Sequence, residues 1–503
     1  MTTRRPPTIH RPALTTATFV CFTLAALLVS CASPPPIEAV RSVAITSHTD
    51  GERVFGSRIV SLAGAAPNVA AVEVFLDGSL VATVDVVGDA FEAEVTLADN
   101  ANALRVQTTD ALVGDDVELV YPWVNATTFR PMDVVIGQAD TTSNASGRSA
   151  TQLAMSTHAT PVFVGGILYV PDAPNNRVLG YVGLPTDDGA AADFVLGQPS
   201  FTTNSPSDPD TGEGSARTLY CPTAVASDGT RLFVADACRS RVLIHNALPT
   251  TSYAPADVVV GQATMSALES TPCSLDAPFA YVSRVAVGGG RLVVPDATGN
   301  RVLVWNTIPT EDGTEPDLVL GQPRSGATCV ANDDDQDGTE GDPTARTLNA
   351  PWDAWTDGDR LLVADGDNHR VLLWETFPTS DFAPADVVIG QASMTTGAPG
   401  LGATGFGPAY TVASNGNQIL IADYDRNRVL VYDAFPSTNG AAADAVLGQS
   451  TFRNVTANDD DQNSVEDDDP TARTLGRPFG AWMGEGVMVV NDFGNNRYAL
   501  FVD

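Results

Sequence analysis

The residues whose types and spacing best suit chemistry sit in three acidic, turn-rich stretches. Asp333, Asp335 and Asp337 alternate and are followed by Gly338. Alternating carboxylates on a tight loop converge on one point, and the glycine permits the sharp turn that a hard cation such as calcium requires. A calcium loop of this kind closes with a bidentate glutamate at its twelfth position. Thr344 stands there instead, so Glu340 or Asp342 has to complete the set. Asp459, Asp461 and Asn463, followed by Ser464, form a weaker copy. Asp208, Asp210 and Glu213 belong to the third stretch. The competing reading is that all three are solvated acidic loops.

Other reactive side chains do not assemble. Registered on the repeat described next, His158 falls near the start of an inner strand, His245 in a third strand and His369 in a turn. They are not at equivalent positions, which argues against a three-histidine metal site and leaves His158 as a lone candidate ligand. There is no Gly-x-Ser-x-Gly elbow, no Ser/His/Asp order for acyl transfer and no phosphate loop. These stretches have to be positioned by something, and the chain supplies one pattern written six times.

An apolar strand ends in aspartate, and five residues later an arginine leads a second apolar strand. The pairs are Asp172 and Arg177, Asp236 and Arg241, Asp296 and Arg301, Asp365 and Arg370, Asp423 and Arg428, and Asp492 and Arg497. Each is read as fixing a turn, with hydrogen bonds to the neighbouring unit. A further strand reads Asp-x-Val-x-Gly-Gln, beginning at Asp133, Asp193, Asp257, Asp317, Asp386 and Asp444. The first of these precedes any Asp–Arg turn, and none follows the last turn. The opening strand therefore completes the final unit, and a closed ring leaves no sheet edge exposed.

Turns such as Asn175-Asn176-Arg177, Asn368-His369-Arg370 and Asn495-Asn496-Arg497 resemble NHL repeats. That resemblance implies an all-β chain whose residues 130–503 form a six-bladed β-propeller. Ala-Arg-Thr-Leu recurs at Ala216, Ala345 and Ala472, after each acidic stretch, so the ring is read as three pairs of blades with the loops on one face. Of the cysteines in this part, Cys221 begins an inner strand and Cys238 lies in the adjacent turn, so they are expected to pair. Cys273 and Cys329 are left for a second bridge. None has zinc-type spacing.

Before the ring, residues 42–125 read as about seven short strands, with a hairpin turning at Asp77-Gly78. This stretch resembles the Ig-like β-sandwich modules placed beside secreted bacterial binding domains. Residues 1–30 carry Arg4, Arg5 and Arg11 ahead of an apolar run too short to span a bilayer. Leu28-Val29-Ser30-Cys31 resembles a lipobox, which implies a signal peptide cut before a lipidated Cys31, with 31–41 as a proline-rich tether. The expected location is the bacterial outer membrane or cell surface.

Three of the 27 basic residues and none of the 61 acidic ones lie in the first 30, so the mature balance is 24 against 61. A net charge of −37 repels phosphate backbones and excludes nucleic acid as a partner. The expectation is a monomeric recognition scaffold for a protein, peptide or glycan, with calcium as its cofactor. Its ligand would meet the acidic loops and the inner-strand aromatics Tyr281, Trp352 and Phe479. Some propellers carry a metal at the central mouth, so the alternative is a metal-dependent lyase or lactonase-type hydrolase.

Overall fold

The computed structural model describes residues 42–503 apart from 51, 55–58, 112, 155–158, 269–278, 280, 325–326 and 485. Cys31, His158 and Cys273 lie outside the described residues, as do the segments read as signal peptide and tether. The described chain is all-β, its only helical turns being short 3-10 segments.

Residues 44–121 form two sheets. One pairs Ala44–Ile45, Ile59–Ala65 and Ala90–Thr96; the other pairs Glu52–Arg53, Gly114–Tyr121, Asn100–Thr108, Ala71–Leu76 and Ser79–Asp85. Alternation along Ala90–Thr96 and Asn100–Thr108 turns every second side chain inward. Val60, Leu62, Phe91 and Val95 thereby meet Val72, Leu104, Val106 and Leu119 in one core.

The remainder is a propeller-like series of six four-stranded antiparallel sheets. In chain order, the second strand of each sheet is Ile167–Asp172, Leu232–Asp236, Arg291–Asp296, Leu361–Asp365, Ile419–Asp423 and Val487–Asp492. These strands are buried on both faces, so they read as continuous apolar runs rather than alternating ones. The outer strand of the sixth sheet is Val134–Ile136, which pairs with Arg497–Val502 from the other end of the chain.

Packing between sheets closes a cycle. Five apolar clusters join each sheet to the next. A sixth joins Val487, Val489 and Leu500 of the last sheet to Leu168, Val170 and Leu179 of the first. Fully burying one such Val or Leu side chain is worth about 1.5–3 kcal/mol, so each interface is held by many small terms. The sandwich docks on the fifth and sixth sheets. Gln418 exchanges two hydrogen bonds with the Val124 backbone at 2.8 and 3.0 Å, and Gly486 N–H donates to Trp123 O at 3.0 Å.

Candidate ligand-binding site

The repeated polar residues build the frame. In five of the six units a 3-10 segment follows the aspartate, and after Asp296 a plain turn does. In all six the residue before the arginine is left-handed: Asn176, Ser240, Asn300, His369, Asn427 or Asn496. That conformation explains the asparagine enrichment. It also brings the arginine beside the aspartate five residues earlier. The Nε–Oδ2 distances for the pairs at Asp172, Asp236, Asp296, Asp365, Asp423 and Asp492 are 2.7, 2.8, 3.1, 2.6, 2.8 and 2.7 Å. All twelve side chains are buried. Burial pushes the carboxyls of Asp172, Asp236, Asp365, Asp423 and Asp492 toward the protonated form, and the arginine charge opposes that.

The Asp-x-Val-x-Gly-Gln strand is equally committed. In five units its glutamine donates to the backbone carbonyl of the left-handed residue, as Gln198 does to Asn176 O at 2.9 Å and Gln449 to Asn427 O at 3.1 Å. Its glycine takes a positive φ, as at Gly197 (84°) and Gly390 (88°), and an added Cβ there would strike Leu219 or Phe406. Its aspartate accepts a backbone N–H from the end of the third strand. The first of these, Asp133, accepts from Val502 at 2.8 Å and so clasps the two ends of the ring.

Two of the acidic loops share one construction. Buried Asp333 accepts from Thr328 Oγ1 at 2.6 Å and from the N–H groups of Asp337 and Gly338 at 3.0 Å. The Thr328 hydroxyl and those amides hold its carboxyl below the usual carboxylate range. Asp459 is held by the N–H groups of Asn463 and Ser464 at 2.9 and 2.8 Å. Reciprocal amide pairs, Asn332 with Asn368 and Asn458 with Asn495, tie each loop to a turn of the following sheet.

The carboxylate oxygens of Asp333, Asp335 and Asp337 fall within 4.8 Å of one another. Glu340 and Asp342 are not part of that cluster, and Glu340 instead accepts from Asn349 Nδ2 at 3.4 Å. In the second loop the cluster is Asp459, Asp461 and Asp467. Asn463 turns its amide to Asp461 Oδ2 at 2.9 Å. Sequence reasoning missed Asp467, although its place in the run Glu466-Asp467-Asp468-Asp469 was a signal. The donors are all oxygen and suit a hard cation. In the remaining stretch Asp208 accepts from Ser215 Oγ at 2.9 Å and from the Asp210 N–H at 3.0 Å.

Cys221 and Cys238 form a disulfide, as the sequence led us to expect. Cys329 is also disulfide-bonded. His245 is buried, sits 3.0 Å from Pro255 O and has its pKa lowered to about 4 by desolvation, which marks a neutral packing residue. His369 is the left-handed turn residue of its unit.

The inner strands converge on the ring's centre. Near their first residues Tyr281, Trp352, Tyr410, Phe479 and Tyr424 pack together, with Tyr410 and Phe479 stacked at 4.6 Å and Trp352 edge-on to three of the others. Tyr410 and Tyr424 were not singled out from the sequence. Deeper in, one level is shared by Ala224, Asp353, Thr411 and Gly480, each paired with the residue before the turn aspartate or its equivalent. Counting back from Val162–Tyr169 and Ala286–Val293 adds Thr160 and Arg284 to that level.

Arg284 is fully buried under the Phe479 ring, 5.6 Å away. Its polar contacts are all long: Ser283 O at 3.2 Å, Thr411 Oγ1 at 3.4 Å, Thr223 O at 3.5 Å and Asp353 Oδ2 at 3.7 Å. Burial raises the Asp353 pKa to about 7 against the pull of Arg284. Below this level a cavity of about 690 Å³ opens toward the turns between first and second strands, with Asp353 and Thr160 in its wall and Arg53 of the sandwich at its mouth. Aligning the six repeats on their Asp–Arg turns would have exposed Arg284 and Asp353 as charged outliers among small residues.

The sequence matches no family model and no curated relative. Among solved structures, it is similar to the PQQ-bound aldose sugar dehydrogenase of Streptomyces coelicolor at 12% identity, over 76% of this chain and 100% of that one, with a TM-score of 0.37. Similarity to Myxococcus xanthus glutaminyl cyclase is 11% identity, over 74% and 100%, with a TM-score of 0.28. Fibronectin(III)-like modules of Clostridium thermocellum CbhA align at 16% identity over 16% of this chain and 94% of theirs, with a TM-score of 0.14. At this degree of overlap, none of those activities transfers to this chain.

Proposed function

We propose that the chain is a cell-envelope lipoprotein held by a lipidated Cys31, with an Ig-like sandwich as spacer and a six-bladed, NHL-like propeller as its recognition domain. The ligand is a protein, peptide or glycan, and calcium bound at Asp333, Asp335 and Asp337 and at Asp459, Asp461 and Asp467 stiffens the loops around it. One observation carries this reading. The polar residues that recur in all six units are buried and committed to one another, so the repeat is a frame. The features that differ between units are what remains to meet a ligand: acidic loops, inner aromatics and the central cavity. Fold alone does not assign a ligand, and the site has to do so.

The test is in the native envelope. The chain should fractionate with membranes and move to the soluble fraction on Cys31→Ser. A cross-linked partner should be recovered with the parent chain and lost with a loop-deleted chain of unchanged melting temperature. Equal recovery with and without the loops would defeat the recognition role assigned to them.

A further inference from the structure

We propose that the central cavity binds an uncharged sugar, as a mono- or disaccharide, with its hydroxyls on Asp353 and Thr160. This rests on reading the ring as a binding scaffold and names the ligand for its centre. The first argument is unmet hydrogen bonding. Asp353 Oδ2 and Thr160 Oγ1 are both buried with no hydrogen-bond partner, Asp353 Oδ2 having only the long 3.7 Å contact to Arg284 Nε, and both residues belong to the cavity wall. A buried polar atom left unpaired costs about 1–3 kcal/mol, and more when it is charged. A ligand hydroxyl both donates and accepts, so it satisfies a carboxylate oxygen and a threonine hydroxyl alike.

Charge is the second argument. The whole chain carries −34, yet each carboxylate in the cavity wall is matched by an arginine. Asp228 meets Arg231 at 2.7 Å, Asp357 meets Arg360 at 2.6 Å, and Asp353 faces Arg284 at 3.7 Å. Arg53 is solvent-exposed at the rim. An ammonium ligand would add a cation beside Arg284, and a carboxylate ligand would add an anion beside Asp353. Either is costly beside groups as buried as Arg284 and Asp353, and a neutral ligand avoids both costs.

Shape is the third. Phe163, Trp355 and Trp482 are half-buried in the wall and supply apolar aromatic surface of the kind that packs on the C–H side of a pyranose ring. The volume of about 690 Å³ lies in the range of small-ligand sites.

The experiment is calorimetry and tryptophan fluorescence on the full chain. The probes are glucose, galactose, mannose, N-acetylglucosamine, maltose and cellobiose, with glucuronic acid and glucosamine as charged comparators. At least one neutral sugar should saturate with a Kd of about 1 mM or tighter, and the charged comparators should bind about tenfold more weakly. Thr160→Val and Asp353→Asn keep the side-chain shape and should each weaken binding about fivefold or more. If Asp353→Asn does not fold, Thr160→Val decides. The proposal is overturned if no neutral sugar saturates, if a charged sugar binds as tightly, or if Thr160→Val binds like the parent. A protein partner recovered from the envelope without sugar binding would overturn this inference and leave the scaffold reading intact.

Discussion

Removing one buried arginine tests the frame most directly. In Arg370→Ala the chain loses the 2.6 Å contact to Asp365 and three bonds to backbone carbonyls, Met394 O at 2.6 Å and Thr344 O and Thr347 O at 2.9 Å. Asp365 keeps only the Asn349 N–H at 2.7 Å and Asn368 Nδ2 at 2.8 Å. Breaking a buried pair from one side costs about 3–5 kcal/mol, because the surviving charge is left uncompensated. Unfolding entropy of about 2.1 cal/mol/K per residue over roughly 370 residues gives about 0.8 kcal/mol per degree. The melting temperature should therefore fall by about 4–6 °C in calorimetry, with ligand binding unchanged at temperatures where the variant is folded. The pH dependence gives a second readout. Without the arginine, desolvation raises the Asp365 pKa in the folded state above its unfolded value. That contribution is favourable at low pH and lost as pH rises, so the gap between variant and parent should narrow on acidification toward pH about 4. A shift under about 1 °C, or a gap that widens in acid, would refute the assignment of these pairs as the ring's internal braces.

Three further outcomes are expected. Replacing Cys221 and Cys238 together by alanine opens a crosslink between residues 17 apart and should cost about 3 kcal/mol, or about 4 °C in a thermal scan. Calcium at about 100 times its Kd for both loops, worth about 2.7 kcal/mol at each, should raise the melting temperature by about 7 °C over a chelated sample, and Asp335→Asn combined with Asp461→Asn should abolish the rise. Asp353, with its pKa raised to about 7, contributes stability below pH about 4 that is lost as pH climbs through 7, so Asp353→Asn should flatten that decline in urea titrations.

The frame was legible because its signals are local. An aspartate and an arginine five residues apart span one hairpin turn, and the unmatched Gly-Gln strand at the start pointed to Val134–Ile136 pairing with Arg497–Val502. The Cys221–Cys238 bridge was legible for the same reason, since strand and turn adjoin in sequence. The acidic loops were legible as composition but not as ligand sets. Nothing periodic governs a loop's path, so Asp467 replaced Asn463 beside Asp459 and Asp461. Arg284 and Asp353 could be read from the aligned repeats as charged outliers, but not as a pair, because they belong to different sheets and meet only in three dimensions. The aromatics divide likewise: Tyr281, Trp352 and Phe479 were singled out by strand position, whereas Tyr410 and Tyr424 joined them only in three dimensions.

The clasp between Asp133 and Val502 joins residues 369 apart. Ribosomes make Asp133 long before Val502. While the residues between them are made, Val134–Ile136 waits for a neighbour that does not yet exist, and the sixth sheet cannot finish until Arg497–Val502 emerges. Contacts of such sequence separation form slowly, and an unfilled strand position in the meantime invites pairing with other chains. Loss of Arg497–Val502 by truncation should therefore yield an aggregating species in place of a smaller folded one, and a chaperone that shields Val134–Ile136 during synthesis should rescue yield more than one acting after Arg497–Val502 has emerged.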